Sequence, residues 1–409
     1  MSPSQSNDKL PGESVPENPA AGGKQRKHRL RDFWRRVTEG LELSDLWGQF
    51  AREAREGYGL YSREVDWDEV RSAKRWKRPY RAVKALFWAM ILKLSPARRV
   101  LLVIALLLLV VSTFGSNSGD RDQGFVGFKA SGLAAVILFV LLALELADRV
   151  TMKRDLQIAR EIQSWLVPAE APVTPGYEIA FTTRPANTVS GDYYDAFWRS
   201  TTVPGVRDEE TSLGRKLLLV VADVAGKSVP AALLMATLQA SLHALAEVPS
   251  TLEQLIARLD QYVCAHSSEG RRFTTAFLAE LDVTTREMRY VNAGHNAPIL
   301  RRMSGMIERL DRGGLPLGVD PSRSYESGST TLKSGDALFV FTDGVVEAVN
   351  DSGEEFSESR LLQIVGNFVP ASAAEMRDRA MGAVEAFVGD ARQHDDITCL
   401  VLRVLPTPS

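Results

Sequence analysis

The chain has 409 residues, 45% hydrophobic and 24% charged, with a formal net charge of −2. That length exceeds what one hydrophobic core serves, so more than one domain is expected, and the near-neutral charge averages segments of very different character. The only cysteines, Cys264 and Cys399, stand in apolar surroundings and read as small buried hydrophobes rather than a disulfide or a nucleophile pair, which suits a cytoplasmic catalytic portion.

Residues 1–23 are rich in Ser, Pro, Gly, Asn and Glu without apolar spacing and predict a disordered tail. Basic residues crowd from Lys24 to Arg36 and from Arg71 to Arg99, with Trp34, Trp67, Trp76 and Trp88 among them. Aromatics among cations suit nucleic acid as well as lipid headgroups. The region 24–96 leads straight into an apolar run, so we read it as a cytoplasmic juxtamembrane segment and expect no nucleic acid as partner. Within it, Pro79 to Leu94 is mainly apolar but carries Arg81, Lys84 and Lys93, as an interfacial helix or the entry to a span would.

Two hydrophobic runs follow, Ala97 to Phe114 and Ala130 to Ala147, each near the lower length limit for crossing a bilayer. They predict a transmembrane helical hairpin over 97–147. Arg98 and Arg99 precede it, and Arg149, Lys153 and Arg154 follow, which places both termini in the cytoplasm of a multi-pass cell-membrane protein. From Glu145 to Pro168, Leu146, Val150, Ile158, Ile162 and Trp165 recur at helical spacing. Residues 148–168 therefore predict a linker helix, either pairing in a homodimer or capping the catalytic core as a monomer.

Strands and helices alternate from 169 to 409. YEIAFTTR reads as a strand, and in the turn NTVSGDYYD, Gly191 frees the backbone beside Asp192. Asp195 is open to three roles: ligand, acceptor behind a ligand, or turn residue. Ser200 to Gly214 predicts an exposed loop. LLLVVA then delivers Asp223, with Gly226 allowing an unusual backbone path and Ser228 a candidate N-cap; Lys227 lacks the GxxxxGK[ST] context of a phosphate loop. FTTAFLAELD, EMRYVNAGHNAPILRR and MIERL suggest an antiparallel meander, with His295 shaping a turn. LFVFT delivers Asp343, Gly344 lets the chain turn there, and Glu347 stands one helical turn later. Ser372 and Glu375 form a capping box for a helix from Ala373 to Phe387, and Asp395 and Asp396 precede ITCLVLRV.

Carboxylates at strand ends are held rigidly while their heads stay wet, and hard divalent cations prefer such oxygen ligands. Histidine does not compete: His28, His243, His266, His295 and His394 are scattered.

DLQIAREIQSWLVP, SGDYYD, ADVAGKS, TTAFLAELD, AGHNAPIL, GLPLG, FTDGVVEA and DDIT occur in that order between Asp155 and Leu405. This half resembles the bacterial SpoIIE/RsbU-like branch of the metal-dependent PP2C protein phosphatases. The resemblance implies an α+β fold, a PP2C-like α-β-β-α sandwich of two antiparallel sheets flanked by helices, with metals at one edge. It implies Asp192, Asp223, Asp343, Asp395 and the Val224 backbone carbonyl as metal ligands, and Asp396 as accessory; we add Asp195, Gly344 and Glu347 to the accessory group. Two Mn²⁺ or Mg²⁺ ions about 3.5–4 Å apart would activate a bridging water for in-line attack on phosphoserine or phosphothreonine. The implied substrate is a phosphorylated signalling protein, such as a STAS-domain anti-anti-sigma regulator. Ser190 and Ser228 depart from the family pattern, each replacing a glycine. The competing reading is a catalytically weak, membrane-tethered interaction protein built on the same fold.

Overall fold

The computed structural model describes residues 78–115, 121–200, 215–266, 272–367, 369 and 371–406. The predicted tail over 1–23, the first basic cluster and residues 201–214 of the predicted loop lie outside the described residues. The chain divides into two compact units, Met1–Ala147 and Asp148–Ser409.

In the first unit, α1 (Arg78–Lys93) ends at Leu94 and Ser95, and α2 (Pro96–Gly115) starts with proline, whose missing N–H is harmless at a helix start. The third helix, α3, runs from Arg121 to Leu166 without a break, through the division between the units. It merges the predicted second span and linker into one element, because no Gly or Pro interrupts the sequence from Leu133 to Leu166. Arg98 Nη1 lies 3.7 Å from Glu145 Oε2, as in an antiparallel hairpin. Ala105 and Ala134 are wholly buried, whereas Val103, Leu107, Val110, Val136, Phe139 and Leu142 are exposed. Both α2 and α3 contain stretches long and apolar enough to cross a membrane, with mean hydropathy 2.0 and 2.4.

The second unit is a sandwich. One sheet has the order β1 (Tyr177–Arg184), β11 (Ile397–Val404), β10 (Ala337–Phe341), β6 (Ile299–Arg301), β7 (Ile307–Arg309). The other has β2 (Asp192–Ser200), β3 (Arg215–Val224), β4 (Thr274–Leu281), β5 (Glu287–Ala293) and β8 (Gly313–Gly314), with β9 (Gly328–Thr331) also on β5. Pairing is antiparallel except for the short β5/β8 contact, which is parallel. The expected meander is divided between the sheets: β4 and β5 pair in one, β6 and β7 in the other. Gly294 to Pro298 carries the chain across, and Gly294 adopts φ +68° against Pro316, where a side chain would collide.

Three apolar layers follow from strand alternation. Tyr194, Leu219, Val221, Phe277, Leu338, Val340 and Leu400 fill the space between the sheets. Tyr193, Leu218, Val220 and Leu278 face α4 (Val229–Ala246) and α5 (Leu252–His266). The other sheet's outer face packs Phe339, Phe341 and Val401 against α7 (Glu358–Asn367) and α8 (Ala373–Val388), which follow the single-turn α6 (Asp343–Val346). Although α4 is also apolar enough by composition to span a bilayer, its Ala231, Met235, Leu238 and Leu242 are core residues here. Ser372 caps α8 by accepting from the Glu375 N–H at 3.1 Å, and Glu375 answers at Ala371 N rather than at the cap itself. Cys399 is buried and Cys264 half-buried, both as thiols rather than halves of a disulfide.

Candidate metal centre

Strand register brings the acidic residues together. Asp192 opens β2 directly opposite Asp223 near the end of β3. Across the sandwich, Phe341 in β10 pairs with Cys399 in β11, so Asp343 just after one strand and Asp395 and Asp396 just before the other share an edge. Two threonines join the halves. The Thr342 hydroxyl donates to Asp192 Oδ2 at 3.0 Å and accepts from Thr398 N–H at 3.0 Å, while Thr342 N–H donates to Thr398 O at 3.0 Å.

Like charges in a sheltered site resist ionisation. Burial, then the neighbouring Asp223, pushes the Asp192 carboxyl well above its ordinary range. Asp223 rises to about 7 through burial, then Asp343 and Asp395. Burial and Asp395 raise Asp343, and burial and Asp343 raise Glu347. A dication among these oxygens would relieve the repulsion. The donors are all oxygen, as hard Mg²⁺ or Mn²⁺ requires, so the residue set fits such ions. Among the described residues, however, no three His, Cys, Asp or Glu side chains form a ready-made coordination sphere.

The accessory residues separate into distinct settings. Asp396 accepts from Ala186 N–H at 2.7 Å, Ser190 Oγ–H at 2.9 Å and Gly191 N–H at 2.7 Å, so its carboxylate ties down the loop before β2. Asp195 turns to the opposite face of β2, where Tyr193 OH donates to it at 2.6 Å and Nε2 of His243, on α4, lies 2.7 Å away. Gly344 is required by space, because a Cβ there would stand 2.0 Å from Asp396 O. The Val224 carbonyl comes within 3.2 Å of where a Gly191 Cβ would be. His295 is buried in its turn, with its N–H bonded to Asn292 Oδ1 at 2.7 Å and Nδ1 3.0 Å from Thr275 Oγ1.

Sequence reasoning missed Thr342, Thr398 and Gln163. FTDG and DDIT contained the two threonines, but their partners lie in other strands. Gln163, near the end of α3, clamps Ser190: its Nε2 donates to Ser190 O at 2.7 Å and its Oε1 accepts from Ser190 N–H at 2.9 Å. The departure at Ser190 also has a physical account. Its hydroxyl bridges Asp396 and the Asp192 N–H, the latter at 3.1 Å, which glycine cannot do. At Ser228, φ 67° and ψ −151° lie in a region normally reserved for glycine, costing about 1–3 kcal/mol, and the expected side-chain cap bond is absent. Two cavities flank the acids. One of about 110 Å³ is lined by Arg184, Gly344, Glu347, His394 and Asp395; the other, about 300 Å³, by Gln163, Val167, Pro185, Ser190 and Asp192.

Residues 214–405 match the family described as Stage II sporulation protein E (SpoIIE). The chain is similar to phosphatases of the SpoIIE/RsbU-like PP2C type. Phosphoserine phosphatase RsbU of Bacillus subtilis (strain 168) is 28% identical over 254 residues, 62% of this chain and 70% of that protein. Protein IcfG of Synechocystis sp. is 25% identical over 290 residues, 64% of this chain but only 43% of that one. The SiaA-PP2C domain of Pseudomonas aeruginosa shares the fold at a TM-score of 0.52 and 21% identity, over 63% of this chain and 98% of that domain. Likeness to the SpoIIE/RsbU-like phosphatases supports enzymatic activity of the protein serine/threonine phosphatase type.

Proposed function

We propose that the chain is a membrane-anchored, metal-dependent phosphatase that removes phosphate from phosphoserine or phosphothreonine on a bacterial signalling protein. The observation that carries this reading is the convergence of Asp192, Asp223, Asp343 and Asp395 on one edge of the sandwich, set by strand register. These four carboxylates and the Val224 carbonyl would hold the ions. The chemistry such ions would supply when bound is activation of water and stabilisation of charge on the phosphoryl oxygens. The chain's own part is orientation: Thr342 and Thr398 fix Asp192, and Asp396 fixes the loop that carries it. A phosphorylated STAS-domain regulator is the substrate class suggested by the family resemblance. The apolar faces of α2 and α3 support anchoring, and the exposed Val150, Ile158, Ile162 and Trp165 of α3 supply a pairing face for a homodimer.

The test uses full-length protein in detergent with Mn²⁺ and a phosphoserine protein. Wild type is expected to release phosphate, and Asp343→Asn to lose about a hundredfold or more while keeping its thermal midpoint. Equal release by both, or none by wild type, would reject the catalytic reading and favour a fold kept for interaction.

A further inference from the structure

Lys227 follows the strand that delivers Asp223, and its ammonium crosses the site to the last acidic segment. Its Nζ lies 2.9 Å from Asp395 Oδ2 and donates to His394 O at 2.7 Å. An ammonium has three N–H donors, so these two acceptors fix its head and leave one donor over. It ion-pairs with the carboxylate cluster through Asp395. Burial and neighbouring acids dominate at Asp343 and Glu347, and the Lys227 charge pulls both carboxyls the other way.

The side chain is nevertheless half exposed, at 55%. Its partner Asp395 is itself 38% exposed, so the pair stands at the rim of the acidic edge, where a substrate must arrive. The backbone is shaped to put it there, since Gly226 at φ +119° precedes Lys227 and Ser228 at φ 67° follows it. Arg184, the other cation at this edge, has its Nη1 engaged by Glu385 Oε1 at 3.2 Å.

We propose that Lys227 is the phosphoryl-binding cation of this site, donating its remaining N–H to a non-bridging oxygen of the substrate phosphate while Asp395 and the His394 carbonyl hold it in place. Lysine binds phosphate as a compact point charge, which suits a single free donor better than a guanidinium fork would. The assignment rests on the phosphatase reading for its substrate, but its test does not rest on turnover.

Inorganic phosphate is titrated into full-length protein in detergent, and binding is read from the ³¹P line width in Mg²⁺ buffer. Lys227→Gln is expected to weaken binding by about tenfold to a hundredfold, the effect of losing one charge-assisted hydrogen bond, and Lys227→Arg to restore most of it. Arg184→Gln removes the same charge from the same edge and is expected to change binding by less than about threefold. Equal losses in Lys227→Gln and Arg184→Gln would overturn the contact in favour of a diffuse field. Unchanged phosphate binding in Lys227→Gln, with altered Mn²⁺ affinity by calorimetry, would make the lysine a counter-ion of the acids alone. If wild type hydrolysed no phosphoserine but still bound phosphate through Lys227, the phosphatase reading would fail and this assignment would stand.

Discussion

At His295 burial holds the imidazole neutral, lowering its pKa to about 4 from an ordinary 6.5. Below pH 6.5 the unfolded chain takes up a proton that the native state refuses, so this contribution to stability is complete above 6.5 and is lost as pH falls toward 4. By pH 5 the loss is about 2 kcal/mol. Asp223 works the other way: its raised pKa makes the metal-free native state bind more protons than the unfolded chain between the ordinary carboxylate range and about 7. The net pH profile mixes both, whereas a difference between variants isolates the histidine. Unfolding free energies from urea titrations at pH 7 and pH 5, with EDTA present, are expected to fall further for wild type than for His295→Gln, by about that 2 kcal/mol. Parallel falls would show that His295 is as free to protonate in the native state as in the unfolded one.

Among the elements, α3 matters most to the site, because Gln163 is bonded through both amide atoms to the residue two before Asp192. Partners behind a metal ligand typically contribute tenfold to a hundredfold in metal affinity. Gln163→Ala is therefore expected to weaken Mn²⁺ binding on the order of tenfold and lower phosphate release in step, with a Tm near that of wild type. Unchanged Mn²⁺ binding by calorimetry would leave the helix as packing alone. The sequence made the strands legible, since LLLVVA, LFVFT and ITCLVLRV are continuous apolar runs that end or begin on acids. It also made the four carboxylates legible as a group, through their recurrence at such ends. What it hid were partnerships across the chain: Thr342 with Asp192 is a contact over 150 residues, and Ser190 with Asp396 spans 206. Neither has a local periodicity to betray it. The same holds for β6 and β7, whose residues alternate as a meander should, while the choice of sheet is made by the crossing at Gly294.

For the whole molecule, the first unit exposes side chains such as Val103, Leu107, Val136 and Phe139 that water disfavours by about 1.5–3 kcal/mol each. A lipid environment removes that penalty. The full-length protein is expected to sediment with membranes and to stay there after alkaline carbonate washing, yielding only to detergent; release by carbonate would show that the apolar helices are covered by protein instead. The unbroken α3 has one further consequence, in arithmetic rather than in energy. An α-helix advances 100° and 1.5 Å per residue, so one residue inserted between Ile158 and Gln163 swings the helical turns just before it through more than a quarter-turn about the axis. Seven inserted residues bring the azimuth back to within about 20°, displaced by roughly 10 Å. Length changes between Ile158 and Gln163 should therefore be tolerated in steps of seven, because only those keep Val150 and Ile158 on their present side of the helix relative to the clamp on Ser190.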